Sequence, residues 1–423
     1  MSAAGINSLA GLLDADRRAR AVETLRSLIA RPSVTGDEAK VVMRLAELMP
    51  AAGIDPVVVR DFLPGRPNVW GMRKGEGDGP TLMLLGHTDV VHARGWKERW
   101  AGTEREDPFG AAVVDGEIWG RGAADLKAGI ATIIEALRLI DDAGVRLTGD
   151  VVTAFVGDEE SGEPGTGVSA GMKAFVAALD DGEVTRPDFA VYVEPTRLDI
   201  YPAQMGFFIA DIVVEGRTAY FGTPELGADA LRATHAILAA LWSHSAEIEA
   251  AGEHPLVGRS FLVVTGIEGG GLIAVPERCR ISLIRKLRPG EDLVAARDAL
   301  EAAVRAAVVD PDIRVSFDYP AGRDHVVGGT ASEVEPALTP VAELVRCANA
   351  IRPDRGRIEG APFWSEASFL VSRGIPAVYF APGDIRICHS LEERVPVDEY
   401  VDGIAILAEF IARYCGVAHE AKT

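Results

Sequence analysis

Cysteine is scarce in this chain: four in 423 residues, at Cys279, Cys347, Cys388 and Cys415, with no two in a Cys-x-x-Cys spacing. That scatter excludes a cysteine-built structural zinc site and a disulfide framework, and it points to reduced thiols in a cytoplasmic compartment. Cys388 beside His389 does not make a nucleophile and its base, because adjacent side chains rarely face each other. Long apolar runs are also missing, and none nears the roughly 20 residues that cross a bilayer. Residues 1–5 lack the basic and apolar regions that open a secretory signal. Positive charge is the third shortage. Against 63 Asp and Glu stand 43 Lys and Arg, a formal net charge of −20, which repels nucleic-acid backbones and anionic membranes. An anionic substrate stays admissible, because metal ions and local arginines reverse the field inside a site.

What is present is an ordinary globular composition, 48% hydrophobic and 25% charged, with length for two or three domains. Apolar periodicity predicts helices over 17–29, 37–49 and 125–140, the last with Ile130, Ile133, Ile134, Leu137 and Ile140 on one side. Strands are predicted at 57–59, 81–85, 151–156, 189–193 and 377–380, with a loop over 75–80. Strand–helix alternation of this kind implies an α/β fold with a mostly parallel sheet. Between 207 and 317 the order changes to β-α-β-β-α-β, with strands at 207–214, 261–265, 279–284 and 313–317 and helices at 228–241 and 291–307. That order is the ferredoxin-like arrangement. The expected division is a catalytic metal-binding domain of residues 1–206 and 321–423, including a helix over 338–351, and an inserted α+β domain of residues 207–320.

Metal-binding side chains follow these strands. His87 and Asp89 come after the first buried run, Asp158-Glu159-Glu160 after the second, Glu194 after the third and His389 after the fourth. Ligand sites in open α/β sheets form outside the carboxyl ends of strands, so these distant loops can converge. Two histidines with several carboxylates suit a pair of divalent ions, with Zn, Mn or Co all acceptable. Asp89 is placed to orient His87, since a metal-bound imidazole needs its second nitrogen held. Asp125 reads either as the N-cap of the following helix or as a carboxylate shared by two ions. Of the adjacent glutamates, one can hold metal while the other takes a proton from water. His92, His235, His244, His254, His325 and His419 lack such placement and read as surface or packing residues.

Taken in order, Gly86-His87-Thr88-Asp89-Val90-Val91, Gly120-Arg121-Gly122-Ala123-Ala124-Asp125-Leu126-Lys127, Asp158-Glu159-Glu160-Ser161-Gly162 and His389 through Glu393 resemble the motifs of one family. It is the metallopeptidase family of acetylornithine deacetylase, succinyl-diaminopimelate desuccinylase, carboxypeptidase and aminoacylase. The resemblance implies one ion held by His87, Asp125 and Glu194, and another by Asp125, Glu160 and His389. It implies Glu159 as general base and Asp89 as the orienter of His87. It also implies that the inserted domain is a lid through which the protein forms a homodimer or higher homo-oligomer.

The lid departs from the family pattern. Tyr220, in Gly216-Arg217-Thr218-Ala219-Tyr220-Phe221-Gly222-Thr223-Pro224, stands where family lids carry an oxyanion-stabilising histidine. Ala274 replaces an asparagine before Val275-Pro276, and Lys286 replaces an arginine, with Arg285 and Arg288 close by. The expected activity is hydrolysis of a C–N bond in a small carboxylate-bearing molecule, of the deacylase or peptidase type. An alternative is hydrolytic deamination of an aromatic amine such as 5-nitroanthranilate, which an atypical aminohydrolase resembling this family performs. Tyr220, Phe221 or Trp364 would then pack on a flat substrate, and Arg285, Arg288 or Arg323 would grip its carboxylate or nitro group. A catalytically silent binding homologue is a further alternative.

Overall fold

A computed structural model describes residues 9–160 and 165–418. The chain divides into two compact units, one of residues 1–202, 334–359 and 369–423, the other of residues 203–333 and 360–368. The first opens with helices α1 (Ala15–Ile29) and α2 (Ala39–Leu48), then strands β1 (Val57–Leu63), β2 (Arg66–Arg73) and β3 (Gly79–His87). Helix α3 (Ala128–Asp142), β4 (Gly149–Val156), α4 (Ala170–Asp180), β5 (Phe189–Tyr192) and β6 (Ile200–Gln204) follow. The second unit holds β7 (Gly206–Glu215), α5 (Ala230–Ala250), β8 (Phe261–Gly269), β9 (Arg278–Leu287), α6 (Leu293–Ala306), β10 (Arg314–Asp318) and the short β11 (Gly328–Gly329). The chain then returns to the first unit with α7 (Thr339–Ile351), β12 (Ala377–Tyr379) and α8 (Val397–Cys415).

In the first unit the strand order is β1-β2-β4-β3-β5-β12-β6. The central strands β4, β3, β5 and β12 are parallel, and antiparallel β1 and β2 extend one edge. Every residue of β4 and β5 is buried, which is why Val151–Val156, broken only by Thr153, and Phe189–Tyr192 read as apolar runs rather than as alternation. Helices α3 and α8 pack together and are buried along most of their length. Because the four central strands are parallel, their carboxyl ends lie along one edge of the sheet. Strands β2 and β6 and helices α4 and α8 have no counterpart in the sequence expectation, and Asp125 does not open the helix. Its backbone is extended (φ −116°, ψ 95°), the peptide from Asp125 to Leu126 is cis, and α3 begins at Ala128.

The second unit is a β-α-β-β-α-β fold whose sheet runs β8-β9-β7-β10, with β11 added against β7. Its core joins Phe208, Ile212, Ile281 and Leu283 of the sheet to Leu241 and Leu300 of the helices. Strand alternation therefore sends the odd-numbered residues of β9 toward the helices, and places Lys286 and Phe207, which pair in register, on the opposite face. The whole is α/β, with a mostly parallel sheet and an inserted ferredoxin-like α+β unit. No helix among the described residues is long and apolar enough to cross a membrane.

Candidate metal centre

His87 ends β3 with its ring fully buried, and its Nδ1 lies 2.9 Å from the backbone carbonyl of Asp89. A carbonyl only accepts, so Nδ1 carries the proton and Nε2 faces the site as a donor atom for metal. Around Nε2 lie Asp125 Oδ1 at 3.2 Å, Glu194 Oε1 at 3.7 Å and Glu159 Oε2 at 4.0 Å. His389, which has a left-handed backbone (φ 61°), brings its own Nε2 to 2.7 Å from Glu160 Oε1 and 3.1 Å from Asp125 Oδ2. Asp125 thus turns one carboxylate oxygen to each imidazole. Potential ligand atoms lie within 4.8 Å of one another in three groups: His87–Asp125–Glu194, Asp125–Glu160–His389 and His87–Glu159–Glu160. No other histidine joins such a group among the described residues.

Residues behind these side chains fix them. The Asp89 carboxylate accepts the backbone N–H groups of Glu159 (3.2 Å) and Glu160 (2.9 Å) and the Thr35 hydroxyl (2.9 Å). It lies 3.7 Å from His87 Nδ1, so the imidazole is held by the Asp89 backbone and the two glutamates by its side chain. Asp158 does not face the site. Its carboxylate accepts the N–H groups of Gly167, Val168 and Ala170 and pairs with Arg66 at 2.7 Å, and Arg66 also binds Glu38. Ser161 and Gly162, the rest of that motif, lie outside the described residues. Glu393 accepts the N–H groups of Ala124 (3.1 Å) and Asp125 (3.0 Å) while pairing with the buried Arg121. These hydrogen bonds explain why the chain around Asp125 leaves the helical path. The roles of Arg121, Glu393, Arg66 and Thr35 went unread in the sequence. The only hint was a set of charged residues inside otherwise apolar, glycine-bearing motifs.

The electrostatics fit a bound cation. Burial by itself lowers the pKa of His389, but hydrogen bonds to Asp125 and Glu160 outweigh it and hold the value up at about 11. His87 is likewise driven well above the ordinary range: burial opposes this, but the Asp125 hydrogen bond and the charges of Glu194 and Glu159 prevail. Burial tends to raise Asp125, yet its contacts with both imidazoles bring it below the usual carboxylate range. Both imidazoles are being drawn toward the cationic form by an excess of buried carboxylate. Divalent ions, coordinated through neutral imidazole and carboxylate oxygen, satisfy the same demand with the right donor set.

In the second unit, Arg323 and Trp364 both meet Phe207: the Arg323 guanidinium lies 5.9 Å from the ring centroid, and the Trp364 ring 5.5 Å away. The other four residues named from the sequence, Arg285, Arg288, Tyr220 and Phe221, do not join them. Arg285 lies on the helix face, paired with Glu291 at 3.1 Å. Arg288 donates to the Ala251 carbonyl at 3.0 Å. Tyr220 lies beyond the far end of β7, exposed, bridged to Ala274 and 4.4 Å from the Phe221 ring.

A model described as peptidase family M20/M25/M40 matches residues 83–413. The chain is 28% identical over 380 residues to the N-formyl-4-amino-5-aminomethyl-2-methylpyrimidine deformylase of Bacillus subtilis, with 84% of each chain covered. It is 29% identical over 409 residues to a succinyl-diaminopimelate desuccinylase of Gluconacetobacter diazotrophicus, covering 94% of this chain and 97% of the other. Its fold matches the structure of a dinuclear metal-binding peptidase from the M20 family of Bacillus subtilis, with a TM-score of 0.66, 15% identity, and coverage of 95% and 99%.

Proposed function

Because the chain belongs to peptidase family M20/M25/M40, it is a hydrolase acting on C–N bonds, and we propose that it removes an acyl group or cleaves an amide in a small carboxylate-bearing molecule. The observation that carries this reading is Asp125, whose two oxygens serve two imidazoles while Glu159 stands 4.0 Å from one of them. One or two divalent ions (Zn, Mn or Co) would be held by His87, Asp125 and Glu194 and by Asp125, Glu160 and His389. Bound there, they supply positive charge that acidifies a water molecule and polarises a carbonyl. Glu159 is the general base. Its Oε2 accepts the proton of the attacking water and returns it to the leaving nitrogen. Asp89 positions Glu159 and Glu160 through their backbone N–H groups.

Glu159→Gln tests the assignment. Turnover should fall by at least about 10²-fold, the ordinary contribution of a positioned base, while metal content measured by elemental analysis stays at the wild-type level. Unchanged turnover would remove Glu159 from the role.

A second reading, hydrolytic deamination of an aromatic amine, draws support from Tyr220 in place of the lid histidine and from the aromatic pair Phe207–Trp364. Parallel assay of N-acyl amino acids, dipeptides, N-formyl amines and 5-nitroanthranilate separates the two, since turnover of amides alone removes the aromatic amine. We further assign residues 1–206 and 321–423 to the catalytic domain and 207–320 to a lid that dimerises. The support is β8, an edge strand whose Phe261, Val263 and Ile267 are exposed and which pairs with β9 alone among the described residues. A cytoplasmic location agrees with the absence of disulfides among its four cysteines.

A further inference from the structure

Helices α1 and α2 of the first unit border a cavity of about 350 Å³ that no residue of the metal centre lines. In a chain of formal net charge −20, its walls carry three guanidinium groups, Arg26, Arg31 and Arg44, against one carboxylate, Glu23. The three converge on Ser27. Arg31 Nη1 donates to the Ser27 carbonyl at 2.5 Å, and Arg44 Nε to the Ser27 hydroxyl at 3.3 Å. Arg26, the preceding residue, donates from Nε to the Ala111 carbonyl at 3.1 Å. One edge of each guanidinium is thus fixed before any ligand arrives, which lowers the ordering cost of binding.

The counter-charge here differs from that elsewhere in the unit. Arg121 meets the buried Glu393, and Arg66 meets the buried Glu38 and Asp158. Arg26 and Arg44 instead meet Glu23 and Glu47, whose side chains are 70% and 62% exposed. Ion pairs that open to water stabilise little, and an incoming anion displaces them readily. Arg31 forms no ion pair among the described residues, and its guanidinium rests on a neutral carbonyl.

We propose that this cavity binds a phosphate monoester of a small molecule. A phosphoryl group carries a charge of about −1.5 to −2 at neutral pH and three acceptor oxygens. Arranged around a tetrahedral centre, those oxygens meet guanidinium groups arriving from three directions. A carboxylate has one charge and two coplanar oxygens, which a single guanidinium satisfies. The cavity volume also lies within the range of small-molecule pockets, about 300–1,000 Å³. Its remaining walls, Ala30, Gly110 and Ala111, are small and uncharged, leaving room for an organic body beyond the phosphoryl group. The site belongs to the first unit alone, and its test measures binding, so it stands or falls separately from the proposed hydrolysis.

Isothermal titration of the full-length, metal-loaded protein at fixed ionic strength with glycerol 1-phosphate, inorganic phosphate and acetate tests it. Anion taken up by the metal centre persists in an arginine variant, so the difference between wild type and variant reports the cavity. There, glycerol 1-phosphate should bind at least as tightly as inorganic phosphate and about tenfold more tightly than acetate. Arg31→Met and Arg44→Met should each weaken it by about tenfold or more. Glu23→Gln, which removes the one carboxylate of the walls, should tighten it by about twofold to fivefold, a gain that loss of structure does not produce. If one arginine variant does not fold, the other and Glu23→Gln decide the matter. Glycerol 1-phosphate affinity unchanged in the arginine variants overturns the site. Acetate bound as tightly overturns the phosphoryl assignment, and inorganic phosphate bound tenfold more tightly than glycerol 1-phosphate overturns the monoester.

Discussion

Replacing Asp89 with asparagine separates two ways of supporting the metal centre. The imidazole of His87 is held by the Asp89 backbone carbonyl at 2.9 Å, which the substitution leaves in place. The side chain instead gives Oδ1 to the N–H of Glu159 and Oδ2 to the N–H of Glu160 and the hydroxyl of Thr35. Asparagine offers one oxygen and one amide nitrogen, so at least one peptide N–H would face a second donor. Losing a hydrogen bond to a charged acceptor costs about 1.5–3 kcal/mol, and weakening of the remaining ones brings the total to about 2–4 kcal/mol. Release of this segment moves the proposed base, and a shift of about 1 Å in such a group costs roughly 10²-fold in rate. Turnover, urea denaturation and metal content should be measured on the same preparation. The expected result is a rate loss near 10²-fold with the ion held by His87, Asp125 and Glu194 retained. Wild-type turnover in Asp89→Asn would refute the reasoning. So would loss of metal from the His87 group with Glu160 still ligating, because that would return the carboxylate to the role of orienting His87.

Three other outcomes follow from the same geometry. Chelation should abolish turnover and lower the thermal midpoint, because Asp125, Glu159, Glu160 and Glu194 then face one another with only the imidazoles to offset them; adding back Zn, Mn or Co should reverse both effects. Arg121→Met should destabilise the first unit by about 3–5 kcal/mol in urea, since it leaves the buried Glu393 carboxylate without its partner. Lys286→Met should stabilise the protein in a pH-dependent way. The folded-state pKa of Lys286, about 8, is below its ordinary 10.5, so the unfolded chain binds more protons between those values and wild-type stability rises with pH across that window. The gain from the substitution is therefore largest below pH 8, at most about 3 kcal/mol, and vanishes above about pH 10.5; a pH-independent gain would show that packing alone is responsible.

The parallel strands were legible because complete burial leaves a signature that needs no partner to interpret. Val151–Val156 of β4, Thr153 excepted, and all of β5 are apolar, and each run is followed two residues later by an acid, Asp158 or Glu194. The antiparallel β2 has no such signature. It begins Arg66-Pro67-Asn68, a sequence that local rules assign to a turn, and its pairing with β1 and β4 is settled by tertiary context. Asp125 shows the opposite failure. The helical period of α3 extends smoothly upstream in the sequence, yet the N–H of Asp125 is taken by Glu393, 268 residues away. No local pattern contains that bond. Asp158 was similarly indistinguishable from Glu159 and Glu160 until Arg66, 92 residues distant, was seen to hold it.

The cations of the second unit show how far strand parity alone can be taken. Cys279, Ile281, Leu283 and Leu287 alternate as one apolar face of β9, so Arg285 belongs to that face and Lys286 to the other; this much the sequence contained. What parity cannot reveal is compensation. Arg285 on the apolar face looks like the more anomalous charge, but Glu291 at the start of the next helical segment neutralises it. Lys286, on the less apolar face, looks ordinary but finds no acid among the described residues, and Arg323 arrives beside the same ring from a remote loop. A buried charge is informative about ligands only after its partners are known, because a matched one reports on folding and an unmatched one on something yet to bind. By that criterion Arg285 reports on folding, and Arg285→Met should lower the stability of the second unit in urea by orphaning Glu291.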